Sequence, residues 1–95
     1  MTYSFQALPK FQREFKKLFQ KQQEMIREEL KKIQKNPFIG DRKKGALSTV
    51  MVHKFNAQHQ LYLLAYRVVE KKKEIYLYAV ATHENFYKEL QKRLQ

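Results

Sequence analysis

The sequence contains no cysteine, which excludes disulfide frameworks and thiolate zinc sites. Glycine is almost as scarce: Gly40 and Gly45 are the only two, and neither belongs to a phosphate-cradling Gly-rich loop or a G-x-S-x-G nucleophile elbow. Two prolines remain, Pro9 and Pro37, and both punctuate helices. Acidic residues are few, with nine Asp and Glu against twenty Lys and Arg, for a net charge of +11. Such a field repels itself and draws in phosphate backbones, anionic membranes or acidic proteins. Long apolar runs are missing too. The longest stretch without formal charge, residues 55–66, includes Asn56, Gln58, His59 and Gln60 and is too short to span a bilayer. The N-terminus lacks the basic-then-apolar layout of a secretory signal. The expectation is a soluble, cytoplasmic protein that makes no use of membranes.

What is present fits one domain over residues 1–95, since so short a chain has no room for two cores. Seven Phe and six Tyr supply much of a modest interior. Tyr3, Phe5 and Ala7 alternate with Ser4 and Gln6, which predicts a short strand. Pro9 suits the first turn of a helix, and Phe11, Phe15, Leu18 and Phe19 follow at helical spacing. After a break near Gln20, Met25, Ile26, Leu30 and Ile33 form a second stripe, ended by Asn36-Pro37. Residues 38–47 read as a loop with the cations Arg42, Lys43 and Lys44. Three strands are predicted over 49–55, 60–69 and 74–81, the last with Ile75, Leu77 and Ala79 alternating against Tyr76, Tyr78 and Val80. Lys71-Lys72-Lys73 reads as a solvated hairpin tip, or else as a phosphate clamp. A final helix begins near Thr82 as N-cap, with Phe86, Leu90 and Leu94 on one face. The fold class is α+β: a strand, a helical hairpin, a three-stranded antiparallel meander joining a small sheet, and a C-terminal helix.

The charge is broad. Residues 1–47 carry twelve basic and five acidic side chains, and residues 48–95 carry eight and four, a distribution suited to capturing a polyanion. His53, His59 and His83 lack metal-ligand spacing, and no H-E-x-x-H or D-x-D pattern occurs; no cofactor or metal is expected. The remaining inventory of Lys, Arg, His and Tyr suits metal-free RNA cleavage. There the substrate's own 2′-hydroxyl is the nucleophile, and the protein needs only a proton carrier and cations.

The runs Val52-His53-Lys54-Phe55, Leu63-Leu64-Ala65-Tyr66-Arg67 and His83-Glu84-Asn85-Phe86-Tyr87, behind a hairpin ending in Asn36-Pro37, resemble the RelE/ParE toxin superfamily over nearly the whole chain. The likeness is strongest to the YafQ-like branch. It implies a RelE-like fold and an mRNA endonuclease working in the ribosomal A site. It also implies an acidic antitoxin that wraps the toxin, forming a higher hetero-oligomer that binds operator DNA through the antitoxin. His83 matches the proton-transferring histidine of that branch, Tyr87 the aromatic that holds substrate, and Lys54 the cation facing the phosphate. Lys44, His53 and Arg67 are further phosphate contacts. Alternation puts His53 and Lys54 on opposite faces, so at most one reaches the substrate. Leu63 stands where the RelE branch carries an arginine. Without the resemblance, His83 reads equally as a helix cap or a core-edge ring, and Tyr87 as core aromatic. Relatives of the ParE type inhibit DNA gyrase and cleave nothing, so the fold leaves that function open; a toxin that only binds RNA is a third reading.

Overall fold

The computed structural model describes residues 2–42, 50–83 and 86. Expected features at Lys43, Lys44, Gly45, Thr49, Glu84, Asn85, Tyr87, Leu90 and Leu94 lie outside them. Strand β1 (Ser4–Ala7) leads into helices α1 (Pro9–Lys16) and α2 (Gln20–Lys35). Strand β2 (Asp41–Arg42) is followed by the meander β3 (Met51–Ala57), β4 (Gln60–Val69) and β5 (Glu74–Thr82). The sheet order is β1-β5-β4-β3-β2. β1 runs parallel to β5, and the other pairs are antiparallel.

Pro9 opens α1 at a position whose N–H would have no partner. The hairpin breaks earlier than its stripe implies, at residues 17–19. Gln23 closes the gap, its Nε2 donating to the carbonyls of Phe15 (2.9 Å) and Leu18 (3.2 Å), so helix-end acceptors are satisfied without a glycine. At the other end Asn36 acts as C-cap, its N–H reaching Lys32 O at 3.0 Å, and Pro37 stops the helix as its sequence position requires.

Both helices cover one face of the sheet. Phe11, Ile26 and Ile33 bury themselves against Met51, Phe55, Tyr62, Leu64, Tyr66, Ile75, Leu77 and Val80. A smaller apolar cluster lies on the opposite face: Val50, Val52, Leu63, Ala65 and Ala79 beneath Phe86. Residue by residue along β3, the helix side takes Met51, His53, Phe55 and Ala57, and the far side takes Val52, Lys54 and Asn56.

Three expectations are corrected. The 38–47 segment is not all loop, because Asp41 and Arg42 pair with Val52 and Met51 at the sheet edge. The first meander strand reaches Ala57, beyond Phe55. The alternation predicted for β5 fails in its second half. Ala65 pairs with Ala79 but Tyr66 with Leu77, so Tyr78 is an extra residue, a β-bulge. Past the bulge the faces exchange, and Ala79 joins the far-side cluster while Val80 turns to the helices. The Lys71–Lys73 tip is solvated, as a 3₁₀ turn (Glu70–Lys72) closed by Lys73 at φ 55°. A two-residue turn at Gln58 and His59, both with positive φ, joins β3 to β4. No helix among the described residues is long and apolar enough to cross a membrane.

Candidate catalytic and nucleic-acid site

The far face of the sheet brings sequence-distant residues into rows. Lys54 pairs with Leu63, and Leu63 with Ala81. The Lys54 and Ala81 backbones are thus two strand spacings, about 10 Å, apart. His83 follows Ala81 by two residues, is exposed, and already has helical backbone. Lys54 is exposed as well. The fold therefore places the imidazole and a cation at one end of the sheet, although 29 positions separate them in the chain.

Leu63, between them, is 0% exposed. A buried leucine adds shape and dryness to the row and no charge, so Lys54 is the cation this row itself supplies. Phe86 is 1% exposed in the cluster that contains Leu63. Lying three residues beyond His83, it anchors the start of the segment that carries the imidazole.

Arg67 shares the face but not the place. Its partners across the sheet are Tyr76 and then Gln6, and six residues of strand, about 20 Å, separate that row from the level of His83. The structure does not bring Arg67 and His83 to a single phosphate. His53 is on the other side of the sheet. Its Nε2 lies 2.7 Å from Glu29 Oε1 on α2, and its ring stacks on Phe55, which stacks on Tyr62. Of the pair His53 and Lys54, it is Lys54 that shares the far face with the Leu63 row. Lys44 and Tyr87 lie outside the described residues.

Glu29 responds to that contact. Burial alone raises its carboxyl, but hydrogen bonds and charges from His53 and Lys32 outweigh burial and hold it below its ordinary value. Tyr66 behaves oppositely: burial pushes its phenol up, partly offset by the Gly40 N–H, with Asp41 adding to the rise. Among the described residues no group of three His, Asp or Glu side chains could hold a metal ion.

A cleft on the helix side adjoins this end of the sheet. β1 stops opposite Leu77, where Leu8 N–H reaches Leu77 O at 3.1 Å, so among the described residues no strand lies beside the rest of that β5 edge. Helix α1 turns back over it. Glu14 Oε1 accepts the Val80 N–H at 3.1 Å, and the cleft, of about 480 Å³, opens between Lys10 and Arg13 on α1, with Lys17 at its C-cap, and Val80, Ala81 and Thr82 on β5. The i, i+3, i+7 spacing of the three cations was legible as one helix stripe; what it faced was not.

Residues 5–91 match the model of a family described as ParE-like toxin of type II bacterial toxin–antitoxin systems. No curated protein sequence matches. Among solved structures, an arginine-to-alanine double mutant of the E. coli toxin RelE in the free state superposes with a TM-score of 0.77 at 23% identity, covering 100% of both chains. The toxin–antitoxin complex RelBE2 from Mycobacterium tuberculosis gives 0.77 at 15% identity, over 87% of this chain and 100% of the other. The intact E. coli RelBE complex gives 0.71 at 20% identity, over 84% and 95%. At these identities the structural likeness establishes the fold.

Proposed function

Because this chain belongs to the ParE-like toxin family of type II bacterial toxin–antitoxin systems, we propose that it arrests translation by cutting mRNA on the ribosome without a metal. The reading rests on one juxtaposition: an exposed His83 at the end of β5, beside the row that carries the exposed Lys54. In the reaction the 2′-oxygen attacks the adjacent phosphorus as the bond to the 5′-oxygen breaks. A base takes the 2′ proton and an acid delivers one to the 5′-oxygen, leaving a 2′,3′-cyclic phosphate and a 5′-hydroxyl. His83 is assigned proton transfer, the role for which an imidazole is suited near neutrality. Lys54 is assigned the phosphorane charge. Tyr87 and Lys44 would hold substrate, and Arg67 a phosphate further along the strand. His53, tied to Glu29, is left with a supporting role in the sheet.

His83→Ala is expected to slow cleavage by a factor on the order of 10² or more while the protein stays folded. The products of the wild type should carry 2′,3′-cyclic or 3′-phosphate ends and 5′-hydroxyls. A variant as active and as toxic as the wild type would end the assignment of His83.

The buried Leu63, in place of a cation, favours a second reading: a gyrase inhibitor that cleaves nothing. Pulse-labelling translation and DNA synthesis separately after brief expression discriminates the two, since a gyrase inhibitor stops DNA synthesis and leaves mRNA intact. Under either reading we assign an acidic antitoxin as partner, as in the RelE-type complexes. An apolar groove between Phe11, Phe15, Leu30 and Leu77, rimmed by Lys16 and Arg27, suits an amphipathic acidic segment of it.

A further inference from the structure

We infer that the cleft between α1 and the edge of β5 is a second RNA-binding site, which receives single-stranded RNA flanking the scissile phosphodiester. The choice of ligand rests on the nuclease reading; the existence of the cleft does not. Three observations converge on it. Thr82 lines the cleft and His83 follows it, so the cleft opens beside the proposed catalytic end. The α1 wall presents Lys10, Arg13 and Lys17. Glu14, the one carboxylate in the lining, spends Oε1 on the Val80 N–H and has Oε2 3.9 Å from Lys10. Among the described residues neither Arg13 nor Lys17 is paired with a carboxylate, and both are exposed, so two cations face solvent over a floor whose negative charge is already engaged. At the rim, Leu18 lines the cleft and the next residue, Phe19, is 79% exposed. An aromatic ring beside cations is the pairing that holds unstacked bases and their backbone without sequence preference.

An acidic protein segment would answer the same charge but makes no use of an isolated, exposed ring next to a phosphate-sized cleft; RNA uses both. The test separates local binding from the general +11 field by charge matching. An end-labelled 2′-O-methyl RNA of about a dozen nucleotides, which lacks the attacking hydroxyl and stays intact, is titrated against the full chain. Arg13→Glu/Lys17→Glu is compared with Lys71→Glu/Lys72→Glu at the exposed hairpin tip, which changes net charge equally. The cleft pair should lose about ten times more affinity than the tip pair. Its plot of log affinity against log salt should flatten by about 1.4, two single-strand phosphates' worth. Phe19→Ala should weaken binding with the salt slope unchanged. Both charge pairs lie on exposed positions, and matched thermal melts check that folding is retained. Equal losses from the two pairs would overturn the cleft site, and unchanged binding by Phe19→Ala would remove the stacking rim. A cleft pair that loses binding to an acidic antitoxin, yet binds RNA like the tip pair, would make this a protein-docking surface and also overturn the inference. Cleavage of mRNA on ribosomes by the wild type, measured in parallel, reports on the nuclease reading separately.

Discussion

Tyr66 shows how much one side chain can fix. It is 0% exposed, yet its hydroxyl donates to Pro37 O at 2.8 Å and accepts the Gly40 N–H at 3.0 Å. A buried hydroxyl is tolerable only when so satisfied. The arrangement dictates glycine at position 40. A Cβ there would sit 2.7 Å from the Tyr66 oxygen and 3.0 Å from the Val52 carbonyl. Gly40→Ala should therefore cost roughly 1–3 kcal/mol through overpacking, read as a lower urea midpoint. In a Tyr66→Phe background the same substitution should cost less, because the closest clash is gone and only the Val52 carbonyl contact remains. Equal costs in the two backgrounds would refute this account. The sequence offered Gly40 only as a loop glycine; the tyrosine that requires it is 26 positions away, and no local pattern links them.

At the scale of elements, α2 is held to β3 by a polar tie within an apolar seam. Glu29 accepts from His53 and Lys32 and is only 15% exposed, and its folded carboxyl titrates below the ordinary value. A depressed carboxylate stabilises the fold fully above the unfolded pKa, near 4.3. That contribution fades as pH falls through the lower folded value. Glu29→Gln should accordingly be less stable than the wild type at pH ~7, with the difference shrinking towards zero as acidification carries the carboxyl through its lowered folded value. Urea midpoints at several pH values measure it, and a difference that ignored pH would contradict the tie. Element identity was largely readable: the Ile26 and Ile33 stripe, the Asn36-Pro37 stop and the Leu-, Tyr- and Val-rich run of β4 all have local causes. The bulge at Tyr78 was not. Tyr78, Ala79 and Val80 all suit a strand, and only pairing with β4 reveals which one is the extra residue.

Taken whole, the molecule sets charge against compactness. A net +11 on 95 residues is self-repulsive when folded and attractive to any polyanion, and salt screens both effects with a Debye length of about 10 Å at 0.1 M. Raising NaCl from about 0.05 to 0.5 M should thus raise the melting temperature by a few degrees while weakening RNA binding. Scanning calorimetry and anisotropy on one preparation would show it; a melting temperature that fell with salt would mean that attractive ion pairs outweigh repulsion. The same reasoning makes an acidic partner a stabiliser as well as an inhibitor, since a ligand bound only by the folded state raises its stability.

Composition alone determined the +11 net charge and the absence of disulfide chemistry, because both depend on which side chains exist and not on where they lie. Periodicity determined the helices and most of the strands, whose causes act over a few residues. It even set His53 and Lys54 on opposite faces. The tertiary structure decided which face holds the helices, and with it that His53 meets Glu29 while Lys54 shares a row with Leu63 and Ala81. It also decided that β1, joining parallel to a strand some 70 positions away, stops at Leu77 and leaves the α1 cations a cleft to line. Such outcomes turn on register and strand order, which long-range pairing sets and neighbouring residues do not encode.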